Sequence, residues 1–296
     1  MTLELPDLGS VDLDGPVIYR AWEGPPETTF VLVHGLGGSH LNWIQVAPGL
    51  AGLGRVLALD LPGFGLSPRA GRRTRLMDSR AALARFIDQT TSGPVILVGN
   101  SMGGVIGFLE GAVEPERVAG LIVTASVFPW ARGALPHPLV IGAFASYDVE
   151  WLGERLVAGR RRGLSPEAVV AFSLRLLTVD PGRIPPEVFR LQVDLLRETR
   201  ADPDVPRSFV EAARSIVRYV RYPTIGSRAM DGLICPVLVI HGRSDRFVPA
   251  RFAEEALAAH PAWRGRILPR VGHVPQMEVP ARWLTEVAEW FAAELR

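Results

Sequence analysis

The sequence predicts an α/β fold: a mostly parallel eight-stranded sheet with helices on both faces and a helical cap inserted between two strands. Three observations predict it. Short runs rich in Val, Ile and Leu recur along the chain, helix-like stretches separate them, and this alternation stops between Val127 and Gly232 before resuming.

The runs are Phe30 to Val33, Val56 to Leu59, Val95 to Val98, Leu121 to Thr124 and Val237 to Ile240. Each lacks a polar face, as expected of parallel strands covered by helices on both sides. Ser79 to Gln89, Met102 to Val113 and Arg251 to Ala259 suit the crossover helices that parallel strands require. Gly9 to Leu13 and Val17 to Trp22 read as an antiparallel lead-in, Arg266 to Leu268 as the last strand, and Ala281 to Leu295 as the closing helix. Between Val127 and Gly232 helical patterns follow one another, punctuated by prolines such as Pro136, Pro138, Pro166, Pro185 and Pro206. The expected division is a core of residues 1–126 and 233–296 around a cap of residues 127–232. One cap helix shows its start: Ser165 as N-cap, Pro166 in the first position and Glu167 in the first turn.

With 32 Lys and Arg against 31 Asp and Glu, the formal charge of +1 gives no field to recruit nucleic acid or an anionic membrane. A hydrophobic share of 48% with 21% charged residues is that of a globular chain. No apolar run approaches the roughly 18 residues of a membrane span, and Met1 to Ser10 lacks a secretory pattern, so a soluble cytoplasmic protein, monomeric or homodimeric, is expected. The single cysteine, Cys235, reads as a small apolar filler, and Arg72, Arg73, Arg75 and Arg160 to Arg162 as solvated faces.

Gly99-Asn100-Ser101-Met102-Gly103 follows the third of these runs and opens a helix. A serine nucleophile needs such a tight strand-to-helix turn, where large side chains two positions away would clash, and Gly99 and Gly103 remove them. The turn lifts the Ser101 hydroxyl clear of the sheet and sets the Met102 amide at a helix start, where positive character favours an oxyanion. A five-residue motif alone is weak; strand before, helix after and partners downstream give it force. The His34-Gly35-Leu36-Gly37-Gly38 loop lies after the first run, and its Leu36 amide is the expected second oxyanion donor.

In sites of this kind the acid follows the serine and the base comes last. Among six histidines, His273 in Val271-Gly272-His273 lies beyond the last strand and fits the base. Asp245, on the loop after Ile240, can accept from its imidazole and hold the tautomer. His34 and His241 read as structural, His260 as a surface residue, and Asp60 as a tie within its own loop.

The motifs HGLGG (34–38), DLPGFGLS (60–67), GNSMGG (99–104), HGRSDRFVP (241–249) and VGHVPQMEVP (271–280), in this order, resemble the α/β-hydrolase superfamily with a helical cap. That resemblance implies the α/β-hydrolase fold, a carboxylesterase or lipase-like serine esterase, and no metal or organic cofactor. GNSMGG and HGRSDRFVP are also similar to carbon-carbon hydrolases of aromatic meta-cleavage products. Those enzymes usually carry a HGxGPG loop and an aromatic residue after the histidine, where this chain has Gly38-Ser39 and Val274. Ser101 departs from the haloalkane dehalogenases and epoxide hydrolases, whose nucleophile is an aspartate. A non-catalytic ligand receptor on the same fold stays open.

The expected substrate is a small-molecule ester with a short to medium acyl or aryl group. Phe128, Trp130, Phe144, Trp151, Phe172 and Val274 are the candidate pocket residues.

Overall fold

Eight strands form one sheet: β1 (Leu8–Asp12), β2 (Pro16–Trp22), β3 (Thr29–Val33), β4 (Arg55–Leu59), β5 (Val95–Asn100), β6 (Val118–Thr124), β7 (Val237–Gly242) and β8 (Arg264–Leu268). The structure is a computed structural model and describes residues 5–128 and 134–295. Spatial order is β1-β2-β4-β3-β5-β6-β7-β8. β2 is antiparallel to both β1 and β4, and every other pairing is parallel. Every expected strand forms, with its ends shifted by a few residues.

The central strands alternate sides with period two. Val31, Val33, Leu97, Leu121, Val123 and Val239 enter one apolar cluster. Phe30, Leu32, Ile96, Val98, Ile122 and Ile240 enter the other. Helices α2 (Leu76–Thr90), α3 (Met102–Val113) and α10 (Ala250–Ala259) contribute to the first cluster. α1 (Ala47–Leu50), α11 (Pro275–Glu278) and α12 (Pro280–Glu294) contribute to the second. Fully burying one such Leu or Ile side chain contributes about 1.5–3 kcal/mol, so the strands need no polar face to hold register.

Among the described residues between β6 and β7 lie six α-helices: α4 (Pro138–Tyr147), α5 (Glu150–Gly163), α6 (Pro166–Leu177), α7 (Pro186–Glu198), α8 (Asp204–Arg221) and α9 (Pro223–Asp231). The α6 start is as expected, the Ser165 hydroxyl accepting from the Ala168 amide. α8 fastens this insert to the segment before α2. Glu211 accepts from Arg69 at 2.8 Å, the Thr74 hydroxyl donates to the Ser208 carbonyl at 2.8 Å, and the Leu76 amide donates to the Ser215 hydroxyl at 3.1 Å. Burial opposes ionisation of Glu211, but the Thr74 amide and Arg69 hold its carboxyl below the usual range. No helix among the described residues is long and apolar enough to cross a membrane.

The strand order reverses at β3, which lies between β4 and β5. In open α/β sheets, ligands bind in the crevice beyond the carboxyl ends of the strands at such a reversal. The loops after β3, β5, β7 and β8 carry the expected site residues.

Candidate active site

β5 runs through Asn100 and α3 begins at Met102, leaving Ser101 alone at the corner. Its backbone takes φ 53° and ψ −112°, a conformation an L-residue adopts only under strain. The Ser101 amide holds the corner by donating to the Thr124 carbonyl of β6 at 3.0 Å. The flanking glycines are needed for close backbone approach. A Cβ on Gly103 would run into the Val33 carbonyl, and one on Gly99 into the Gly103 carbonyl. The Ser101 side is half-buried, while Met102 is fully buried.

The loop after β3 packs against this corner: a Cβ on Gly35 would stand 3.2 Å from Ser101 Cβ. Leu36, the expected amide donor, follows directly. His34 fixes the loop as a neutral imidazole. Its Nε2 accepts from the Leu61 amide at 3.0 Å, so Nδ1 carries the proton given to the Gly35 carbonyl at 2.7 Å. Burial lowers the His34 pKa, consistent with that state. Asp60 reaches further than its own loop. It accepts from the Leu66 amide at 2.7 Å and also binds His40, whose Nδ1 lies 3.0 Å from the carboxylate.

Asp245 and His273 meet. Asp245 Oδ2 lies 2.7 Å from His273 Nδ1, and Oδ1 accepts from the Phe247 and Val248 amides at 2.7 and 3.0 Å. Burial alone would raise this carboxyl. The His273 charge, with hydrogen bonds from His241 and His273, instead holds it well below the usual carboxylate range. His241 Nε2 is 2.8 Å from the Val248 carbonyl and 3.4 Å from Asp245 Oδ2, so the carbonyl is its nearer partner. The Phe247 ring stacks on the His273 imidazole with centroids 4.9 Å apart.

Ser101 joins this pair through its neighbour. Asn100 Nδ2 donates to the Thr124 carbonyl at 2.9 Å and to the His273 carbonyl at 3.2 Å, tying the β5 end to the histidine's backbone. Among the described residues no hydrogen bond joins the Ser101 hydroxyl to the imidazole; such contacts commonly tighten only with substrate bound. Asn100 and Phe247 are contributions that motif reading missed, whereas His241 is structural as expected. The variable position inside the glycine-serine motif and the residues flanking Asp245 were the available signals.

The expected pocket residues separate. Phe128 is 1% exposed and packs on Phe108 and the His241 ring, and Val274 is 1% exposed in the second apolar cluster, so neither offers a substrate a face. Trp151 and Phe172 are 64% and 45% exposed and face solvent rather than an enclosed cavity. Trp130 lies outside the described residues. Phe144 joins an aromatic group with Tyr147 (5.7 Å) and Phe209 (5.5 Å from Tyr147). That group overlies the loop after β3: the Phe209 ring stands 2.9 Å from where a Gly37 Cβ would be. Two shallow surface clefts, of about 200 and 310 Å³, touch none of these residues.

Burial pushes the Cys235 thiol up to about 11, which disfavours the thiolate. His260 stacks on Trp263 at 4.2 Å and pairs with Asp231 at 3.1 Å.

The chain resembles proteins of several activities. It is 29% identical over 260 residues to the dihydrolipoyllysine-residue acetyltransferase component of an acetoin cleaving system from Pseudomonas putida. The match covers 86% of this chain but 61% of that protein, so the chain spans under two thirds of that relative's length. It is 28% identical to a 2-hydroxy-6-oxononadienedioate/2-hydroxy-6-oxononatrienedioate hydrolase from Cupriavidus pinatubonensis, over 86% of this chain and 83% of that protein. It is 27% identical to a pimeloyl-[acyl-carrier protein] methyl ester esterase from Aeromonas hydrophila, over 93% and 98%. In fold it matches a haloalkane dehalogenase from Bradyrhizobium elkani with a TM-score of 0.82 at 21% identity, over 97% and 98% of the two chains. The model of the alpha/beta hydrolase family matches residues 30–287, the span that holds every loop described above, and the chain belongs to that family.

Proposed function

We propose that this hydrolase cleaves carboxylic esters of short to medium acyl or aryl groups, with Ser101 as nucleophile, His273 as base and Asp245 as the acid that orients it. The observation that carries the reading is the 2.7 Å Asp245–His273 contact, tethered through Asn100 to the strained Ser101 corner. Asp245 fixes the Nδ1–H tautomer, which leaves Nε2 to take the Ser101 proton as the hydroxyl attacks the carbonyl. The Leu36 and Met102 amides receive the oxyanion, His273 protonates the departing alkoxide, and water activated by His273 releases the acid. The inserted helices, residues 127–232, serve as the cap over a core of residues 1–126 and 233–296. Phe144, Tyr147 and Phe209 form the acyl-side wall.

The test is turnover of nitrophenyl esters of increasing chain length by wild-type and Ser101→Ala protein. Wild type should hydrolyse them with a chain-length optimum, and the folded variant should lose about a million-fold in kcat. Esterase turnover by folded Ser101→Ala protein defeats the assignment.

A second reading, hydrolysis of a carbon-carbon bond in a ring-fission product, is favoured by the Cupriavidus pinatubonensis relative. Gly38-Ser39 and Val274 weigh against it. A ring-fission dienone turned over faster than any ester would replace the first reading with this one.

A further inference from the structure

The VGHVPQMEVP segment contains one carboxylate, Glu278, and it is buried. The Glu278 side chain is fully buried, and its two oxygens serve different parts of the molecule. Oε2 accepts from the Gly272 amide at 2.7 Å, one residue before His273. Oε1 accepts from the Val179 and Asp180 amides at 3.0 and 3.2 Å and from Arg183 Nη1 at 3.2 Å, all on the link between α6 and α7. The Glu278 amide donates to the Val274 carbonyl at 2.9 Å, so this one residue holds both chain neighbours of the histidine. Two further bonds cross the same seam: the His273 amide donates to the Leu177 carbonyl at 2.6 Å, and Arg183 Nη1 to the Arg270 carbonyl at 2.9 Å. The approach is close enough that a Cβ on Gly272 would lie 3.0 Å from Thr178 Cα.

We infer that Glu278 is a positioning residue for His273, clamping the base's loop to the inserted helices so that their seating sets the imidazole's position. This rests on the ester-hydrolase reading for its kinetic consequence. A carboxylate offers acceptors to both sides at once, whereas an amide would turn N–H groups toward one of them, so Glu278→Gln must release either the base loop or the insert. Displacement of a catalytic group by about 1 Å can cost about a hundredfold in rate. The groups facing the imidazole are Asp245 at 2.7 Å and, behind it, His241. Loosening the Asp245 contact lets the imidazole drift from its working position, so the loss falls on kcat rather than on KM.

The experiment combines ester kinetics with amide hydrogen exchange on full-length Glu278→Gln and Arg183→Gln proteins. Folded Glu278→Gln should lose about a hundredfold in kcat with KM near wild type. Arg183→Gln, which keeps the Gly272 bond, should lose less. In both, residues 271–274 and 178–180 should lose exchange protection together. Wild-type kcat in folded Glu278→Gln overturns the proposal. Should that variant not fold, undiminished protection of residues 271–274 in Arg183→Gln overturns it. Absence of ester turnover and of serine-probe labelling in the wild type defeats the ester-hydrolase reading instead, and exchange in Arg183→Gln then decides the clamp alone.

Discussion

Asp245→Asn removes one charge and almost no volume, and the structure says which way the amide must turn. Asp245 Oδ1 accepts two backbone amides, at 2.7 and 3.0 Å. The asparagine oxygen has to stay there, because the NH2 group would confront both donors. The NH2 then points at His273 Nδ1, which becomes the acceptor and leaves the imidazole proton on Nε2. In that tautomer Nε2 cannot take the Ser101 proton. The expected loss in kcat is about 10⁴-fold, a barrier increase of about 5 kcal/mol. Stability follows the same carboxylate. Its pKa is depressed in the folded state, so its contribution is full above the unfolded value near 4 and fades as pH falls through the lower native value. Initial rates on nitrophenyl acetate and thermal melts over a pH series measure both effects. The melting gap between wild type and Asp245→Asn should narrow below about pH 4. Activity of Asp245→Asn within tenfold of wild type would refute the tautomer argument.

Other perturbations probe the scaffold. Gly103→Ala places a methyl against the Val33 backbone and should cost about 2–3 kcal/mol, seen as a melting temperature lower by several degrees; an unchanged melt would contradict the close approach. Phe209→Ala opens the aromatic group above Gly37 and should shift the chain-length optimum toward longer acyl groups, with KM changing more than kcat. Thiol alkylation at pH 8 should leave esterase activity intact, since the Cys235 thiol is pushed up to about 11; inactivation would point to a thiol at the site.

The sheet was legible because strands buried on both faces must be apolar throughout, and this chain spends its Val and Ile there. β6 begins at Val118, earlier than the run from Leu121 suggests. Gly120 resembles a breaker in the sequence, yet it lies inside the strand where a Cβ would stand 2.9 Å from the Trp290 ring of α12. The Asp245–His273 contact was legible because chain order and strand ends confine each partner to one loop. Asn100 was not, since its role lies in a carbonyl 173 residues away, and side-chain amides leave no periodic trace. The placement of Phe128, Trp151, Phe172 and Val274 was not legible, for a related reason. The inserted helices carry apolar residues on several faces, with Leu139 and Ile141 of α4 exposed beside buried Val140. Which aromatic ring turns inward there depends on how the helices seat on one another. Trp151 stands in solvent while Phe209, which has no motif around it, meets Gly37.

The most direct measurement is covalent labelling. Wild-type protein treated with a fluorophosphonate should gain one adduct, mapped by peptide mass spectrometry to Ser101, and the labelling rate should fall steeply in Asp245→Asn and His273→Ala. Failure of the native protein to take up the probe, or an adduct mapped to any other residue, would contradict the assignment of Ser101 as the nucleophile.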